Sequence, residues 1–502
     1  MVSNYLSQSI PPQRDKRLQP CIAYGGTLCG IMDRERKCCL EIGDRKFSQG
    51  SICLLLPALG TLASLPDTAV LLHSAIGCGS SCHAATANSR SGSNARWGQA
   101  NDTLWLSTAM NEIDVISGGE RKLAQAIEEI DRQHDLKAII VVSGCVPGIT
   151  GDDIEAVISE IQPRVRARVL PVHCEGFKTK IWATAYDAYY HAFGRHLFEP
   201  PIDAPRIDPE LQSRTVNLFN VSSMGRTDEL ELIRLLQALG LEVNVFPVFS
   251  RPEEMYRVTQ AALSISTCPT HDDYILHHLK DRYGIPFVLR HMPVGIENTG
   301  QWLRNIATFF GKSAEAESII NQEEAELRVA LEPFLAVLRG KRAFLSAGEF
   351  RALATANLLC ELGCELVAVR PFHHDEFANV EYDKLKRNAG DIPLNIANCQ
   401  PFEEANLIAR LKPDLFLGHL VGNSTASKLG VATHTIYHIG LNYVGYRGAF
   451  ELARRLARQL RNPAFHRNFA QNLKLPYTKR WYRSDPYVYI KTQTEEQATI
   501  HG

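Results

Sequence analysis

Short apolar runs of strand length alternate along this chain with stretches of helical periodicity, and that alternation restricts it to parallel α/β units. Lys137–Ser143 is a buried-strand run that stops at Gly144-Cys145. Ala69–His73 reads as an earlier strand, Glu120–His134 and Asp152–Gln162 as helices, and Val169–His173 as the following strand. Pro200–Ser213, rich in Pro and Asp with little apolar content, reads as a linker. Beyond it the pattern resumes with strand Thr215–Val221, helix Thr227–Leu239, strands Glu242–Phe249 and Leu263–Ser266, helix His271–Tyr283 and strand Pro286–Arg290. Residues 312–340 form a long helical connector. A third set runs through strand Arg342–Ser346, helix Phe350–Leu362, strand Glu365–Val369, helix Pro401–Leu411, strands Leu415–Leu420 and Val431–His438, and helix Glu451–Leu460.

At 502 residues the chain exceeds what one hydrophobic core serves. The expected architecture is therefore α/β with three Rossmann-like parallel-sheet domains, at 51–205, 213–335 and 340–475. An N-terminal arm (1–50) and a polar C-terminal tail (476–502) flank them. A formal net charge of −1 gives no electrostatic reason to expect nucleic acid or an anionic membrane as partner. The longest apolar runs, such as Ile139–Val142 and Leu54–Leu56, are too short to span a bilayer, and Met1–Arg17 has no apolar signal core. The expectation is a soluble, cytoplasmic protein.

Thirteen cysteines are many for a reducing compartment, where disulfides are disfavoured, so thiolate ligands or buried apolar thiols are expected. In parallel α/β domains ligands bind beyond the carboxyl ends of strands. Cys53, Cys78 and Cys145 sit at such places, after Gly50-Ser51-Ile52, Ala75-Ile76-Gly77 and Ser143-Gly144. The glycines let a backbone pass close to a bulky inorganic cluster, and thiolates are the ligands that iron–sulfur clusters use. Cys82 is open to either a ligand or a packing role, and Cys21, Cys29, Cys38 and Cys39 match no zinc spacing.

Four segments carry a more specific resemblance. Cys53 with His73-Ser74-Ala75-Ile76-Gly77-Cys78-Gly79 resembles the first two P-cluster cysteine motifs of nitrogenase component-one α subunits. Ser143-Gly144-Cys145-Val146-Pro147-Gly148, running into Gly151-Asp152-Asp153-Ile154, is similar to the third, and Leu106–Lys122 and His173-Cys174-Glu175-Gly176-Phe177 resemble the family's neighbouring stretches. The resemblance covers roughly residues 50 to 460. It implies the component-one fold with Cys53, Cys78 and Cys145 holding one half of an [8Fe-7S] P-cluster, the other half coming from a β-like sister subunit in an α2β2 heterotetramer. It implies an iron–sulfur–carbon cofactor of the [8Fe-9S-C] type, held by Cys268 in Thr267-Cys268-Pro269-Thr270-His271 and by one histidine of the last domain. His438, at a strand end beside Gly440, is preferred for that histidine, with His434 the alternative. Electrons would come from an ATP-dependent iron protein, since this chain has no Gly-x-x-x-x-Gly-Lys-Ser/Thr loop.

The chain also departs from that pattern. Nitrogenases carry a His and a Gln after the Cys-Glu-Gly-Phe turn, where this chain has Trp182 and Tyr186. Two arginines of the cofactor pocket correspond to Thr86 and Thr270. A less cationic, more aromatic pocket suits a bulkier, apolar substrate better than a tricarboxylate-bearing cofactor and dinitrogen. The nearest resemblance is to the catalytic subunit of methylthio-alkane reductase, which implies reductive cleavage of C–S bonds in a small organic sulfur substrate. Trp182 and Tyr186 would line its pocket, with Tyr186 as a proton donor. A cofactor-assembly scaffold, a tetrapyrrole reductase, a non-catalytic β-like subunit and nitrogenase itself remain alternatives.

Overall fold

The computed structural model describes residues 5–33, 45–50, 53–80, 83–100, 103–202, 204–205, 207–221, 225–437 and 440–490. The chain divides into two compact units, one made of Met1–Arg17 with Cys53–Leu289, the other of Leu18–Ile52 with Arg290–Gly502.

The first unit holds two four-stranded parallel sheets. In one, the strands lie in the order Leu104–Ser107, Thr68–His73, Ala138–Ser143, Arg168–His173. The two central strands are buried along their whole length. This explains why their sequences are unbroken apolar runs rather than alternating ones. The other sheet repeats the arrangement as Glu242–Phe246, Thr215–Phe219, Leu263–Ile265, Phe287–Val288. In each sheet the chain leaves the first strand to one side and returns on the other. That creates a switch point where two neighbouring carboxyl ends diverge and a crevice opens.

The second unit carries a six-stranded sheet in the order Ala23–Thr27, Pro393–Ala397, Glu365–Pro371, Arg342–Ala347, Leu415–Gly418, Ala432–Thr435. Ala23–Thr27 pairs antiparallel with Pro393–Ala397, so the expected N-terminal arm supplies an edge strand. The expected C-terminal tail is likewise engaged: the Trp481 indole N–H donates to the Phe402 carbonyl at 2.8 Å. The linker contains a short helix, Pro209–Ser213, capped by the Asp208 carboxylate on the Glu210 N–H. Strand Glu242–Phe246 ends where Pro247, which has no N–H to donate, follows. Three strands escaped the sequence reading: Ala23–Thr27, Leu104–Ser107 and Pro393–Ala397. Each is only four or five residues long, and glycines in the first and Pro and Asn in the last interrupt an apolar run.

Candidate functional site

The first sheet positions the cysteine loops. Strand Thr68–His73 leads through Ser74-Ala75 into the helix Ile76–Ser80 that carries Cys78. Strand Ala138–Ser143 leads through Gly144 into the helix Cys145–Thr150. These two strands flank the switch point, so both cysteines sit at the sheet's carboxyl edge. Cys53 differs from expectation: among the described residues no strand leads into it, and it enters the helix Leu55–Leu62.

The thiols nevertheless converge. A Cβ placed on Gly176 would lie 3.1 Å from Cys53 Sγ and 3.6 Å from Cys145 Sγ. Partial burial pushes the Cys53 thiol up, the Leu55 N–H opposes that, and the nearby Cys145 and Cys78 sulfurs add to the rise. Gly176 is therefore glycine because the backbone passes directly beneath two sulfurs.

The loops are tied together by polar contacts. His73 bridges the Thr108 hydroxyl and the Asp152 carboxylate, 3.0 Å from each, and Gly119 N–H donates to the same carboxylate at 3.1 Å. A side chain at Gly119 would run into Asp152, Met110 and His73. That close approach is the physical content of the Gly118-Gly119 and Gly151-Asp152 motifs. Glu175 is buried beside Gly176. Burial alone would raise its carboxyl, but hydrogen bonds with His173 (3.3 Å) and Ser143 (2.6 Å) hold it down at about 2. Ser74 Oγ is buried at the same edge without a hydrogen-bond partner. Glu175 and Ser74 escaped the sequence reading, although both lie inside the quoted motifs.

The second sheet positions Cys268, which is buried and caps the helix Pro269–Tyr283 directly after strand Leu263–Ile265. The loop is held by Asp272: its carboxylate accepts from Ser266 Oγ at 2.7 Å and faces the Cys268 N–H at 3.5 Å. Against the first turn of this helix lies an aromatic wall from the helix Thr184–His196 and the residues just before it. The ring of Tyr186 is 4.0 Å from that of His271 and 5.7 Å from that of Trp182. Tyr186 is buried and Trp182 half-buried. Thr270 Oγ1, also buried, has no hydrogen-bond partner. The structure thus brings Tyr186 to the thiol-bearing turn with Trp182 against it, and His271, which the sequence reading passed over, joins them.

In the second unit, His434 lies within strand Ala432–Thr435, opposite Leu417. Burial, helped by the Arg455 charge, lowers its imidazole to about 4, so it is a neutral nitrogen donor. His438 lies outside the described residues, as do Cys38, Cys39 and Cys82, and nothing is described of the Thr86 side chain. Beside the His438 segment, the Arg351 guanidinium lies over the Tyr437 ring at 4.1 Å and near the Tyr443 ring at 5.7 Å.

A sequence profile described as nitrogenase component 1 type oxidoreductase matches residues 53–461. The chain belongs to that family. Its members are iron–sulfur oxidoreductases and related proteins, and the family works through a β subunit and an iron protein. The chain is 29% identical over 427 residues to the nitrogenase iron-molybdenum cofactor biosynthesis protein NifE of Methanosarcina barkeri, covering 82% of this chain and 89% of that protein. It is 26% identical over 365 residues to the nitrogenase molybdenum-iron protein alpha chain of Methanococcus maripaludis, covering 72% and 74%. A solved structure of nitrogenase Cp1 at pH 5 shares the fold, with a TM-score of 0.70 at 22% identity over 87% of this chain and 93% of that one. No described helix is long and apolar enough to cross a membrane.

Proposed function

We propose that this chain is the cofactor-carrying, α-like subunit of a nitrogenase-like reductase that cleaves the C–S bond of a methylthio compound. In that reaction R–S–CH3 takes up two electrons and two protons and yields R–H and CH3SH. The carbon–sulfur bond breaks, one proton goes to carbon and the other to sulfur. The iron protein is the source of the electrons.

The observation that carries the reading is the convergence of Cys53 and Cys145 around Gly176, with Cys78 near enough to act on the same thiol. The donor set is all sulfur, the cradle admits no side chain, and Ser74 Oγ beside it lacks a protein partner. These features fit half of a P-cluster. Cys268, with the unpartnered Thr270 Oγ1 beside it, fits a second group of irons, and His438, or His434 in its place, would complete that anchor. When bound, these groups supply electron transfer and the reducing centre. The chain's own part is to fix Cys268 through Asp272, to exclude water with Trp182 and Tyr186, and to present the Tyr186 hydroxyl as a proton source.

A β-like partner is supported by the surface around the cysteines. Ile76, Ile149, Phe177, Ile116 and Leu56 are exposed, and the first three lie on the cysteine-bearing helices or the Gly176 turn. Exposed apolar side chains clustered around half a ligand set mark an interface rather than a free surface.

A scaffold for cofactor assembly is the second reading, favoured by the likeness to NifE. Anaerobically purified complex, supplied with iron protein, ATP and a methylthio-alkane, separates the two. Methanethiol and hydrocarbon released over many turnovers, with about sixteen irons per pair of subunits, supports the reductase. Iron loading without turnover supports the scaffold.

A further inference from the structure

The third sheet carries a buried group of a different chemistry. Glu349 begins the helix Glu349–Glu361, one glycine after strand Arg342–Ala347. His373 and Asp375 follow the adjacent strand Glu365–Pro371. The two strands run parallel with Ala347 opposite Pro371, so their carboxyl ends deliver the three side chains to one place. All three are buried, at 0%, 1% and 0% exposure for Glu349, His373 and Asp375. One ligand atom from each lies within 4.8 Å of the other two.

His373 is what makes this more than a polar cluster. Its Nε2 is 3.6 Å from Asp375 Oδ2 and 4.0 Å from Glu349 Oε2, and neither ring nitrogen makes a hydrogen bond. Those separations are too long for hydrogen bonds. The shorter one falls within the spacing of ligands that share an ion, about 3.3–3.8 Å when each bond is about 2.0–2.2 Å, and the longer one lies just beyond it. The carboxylates are oriented from behind. His374 Nδ1 lies 2.8 Å from Glu349 Oε1, and Asp375 Oδ1 accepts from the Phe377 N–H at 3.1 Å. His374 is itself fixed by paired backbone hydrogen bonds with Cys21, both 2.8 Å. Two carboxylates buried this close carry a large desolvation and repulsion cost, which a divalent cation between them would offset.

We propose that Glu349, His373 and Asp375 form a site for a single divalent first-row cation, different in donor chemistry from the thiol sites. One imidazole and two carboxylates suit Mn2+, Fe2+ or Zn2+, and leave a coordination position for water or a small oxygen ligand. The ion would clamp two adjacent strand-to-helix connections at the sheet's carboxyl edge.

Mn2+ is the probe of choice because it prefers oxygen and nitrogen donors to the cysteine thiols. The full chain, stripped with EDTA and dialysed, is titrated with Mn2+ while free Mn2+ is read by electron paramagnetic resonance, then challenged with Zn2+ and Fe2+. The expected result is one more Mn2+ bound per chain than by Glu349→Gln or His373→Gln, with affinity at least tenfold weaker in either variant. Added metal should raise the thermal midpoint of the wild type only. Equal binding by wild type and variants, or a wild-type midpoint indifferent to both EDTA and all three metals, overturns the proposal. The midpoint measurement needs only the wild type, so it decides even if a variant fails to fold.

Discussion

Acid should loosen the aromatic side of the Cys268 site through one residue, His191. It lies on the same helix as Tyr186, fully buried, and both ring nitrogens are engaged. Nε2 donates to the Gln8 carbonyl at 3.0 Å, because a carbonyl can only accept, so Nδ1 accepts from the Tyr274 hydroxyl at 2.8 Å. Tyr274 belongs to the helix that Cys268 caps. The neutral imidazole therefore links the Tyr186 helix to the Cys268 helix, and protonation replaces an acceptor with a buried charge. Burial lowers this imidazole to about 4; the Gln8 carbonyl opposes the shift and Arg195 adds to it. An unfolded histidine titrates near 6.5, so the sign follows directly. Above pH 6.5 neither state binds the proton and the full contribution is present. As pH falls below 6.5 the unfolded chain takes up a proton that the folded one refuses, and stability is lost until pH reaches about 4. From pH 7.5 to 4.5 the loss spans about 2 units at roughly 1.4 kcal/mol each, about 3 kcal/mol. The test is urea unfolding followed by tryptophan fluorescence on wild type and His191→Gln at both pH values. His196 and His278, also lowered to about 4 by burial, are common to both proteins and cancel in the difference. The wild type should lose about 3 kcal/mol more than the variant. Parallel losses would refute the reasoning, because His191 would then titrate alike in both states.

Gly176→Ala should halve the iron retained by the complex while leaving its circular dichroism unchanged, since the new methyl enters the space 3.1 Å from Cys53 Sγ. Cys268→Ala should abolish substrate reduction in the loaded complex but keep the iron held at Cys53, Cys78 and Cys145, as iron analysis and electron paramagnetic resonance would report. Arg14→Met should cost about 3–5 kcal/mol in urea unfolding. Its guanidinium, fully buried, lies 2.7 Å from Asp273 and 3.6 Å from Asp187, and removing it leaves those carboxylates underpaired.

What could be read from residues alone depended on how each side chain reaches its site. The placement of Cys145 at a sheet's carboxyl edge was legible because it follows a buried apolar run, and in a parallel sheet such a run ends at the ligand-binding edge, whereas Cys268 was marked by its resemblance to a known motif. The three sheets were legible for the same reason in their parallel central strands but not at every edge, one of which pairs antiparallel. Cys53 was picked out with the other two by its neighbouring glycine, but it reaches the site from a helix entry rather than from a described strand. The aromatic wall was half legible: Trp182, in the turn before the helix, and Tyr186, in its first turn, are four residues apart, but the packing of Tyr186 against His271 is a tertiary contact.

Glu349, His373 and Asp375 lie furthest from what sequence can disclose. Gly348-Glu349 reads as an ordinary helix start and His373-His374-Asp375 as a polar loop. Nothing in their spacing joins them, because spacing along a chain says nothing about which strands are neighbours. The strand order supplies that link. Arg342–Ala347 and Glu365–Pro371 pair in parallel, so whatever follows their last apolar residues must meet at one edge. Carboxylates and an imidazole buried there need either protons or a metal, and the unpartnered nitrogens of His373 weigh toward the metal.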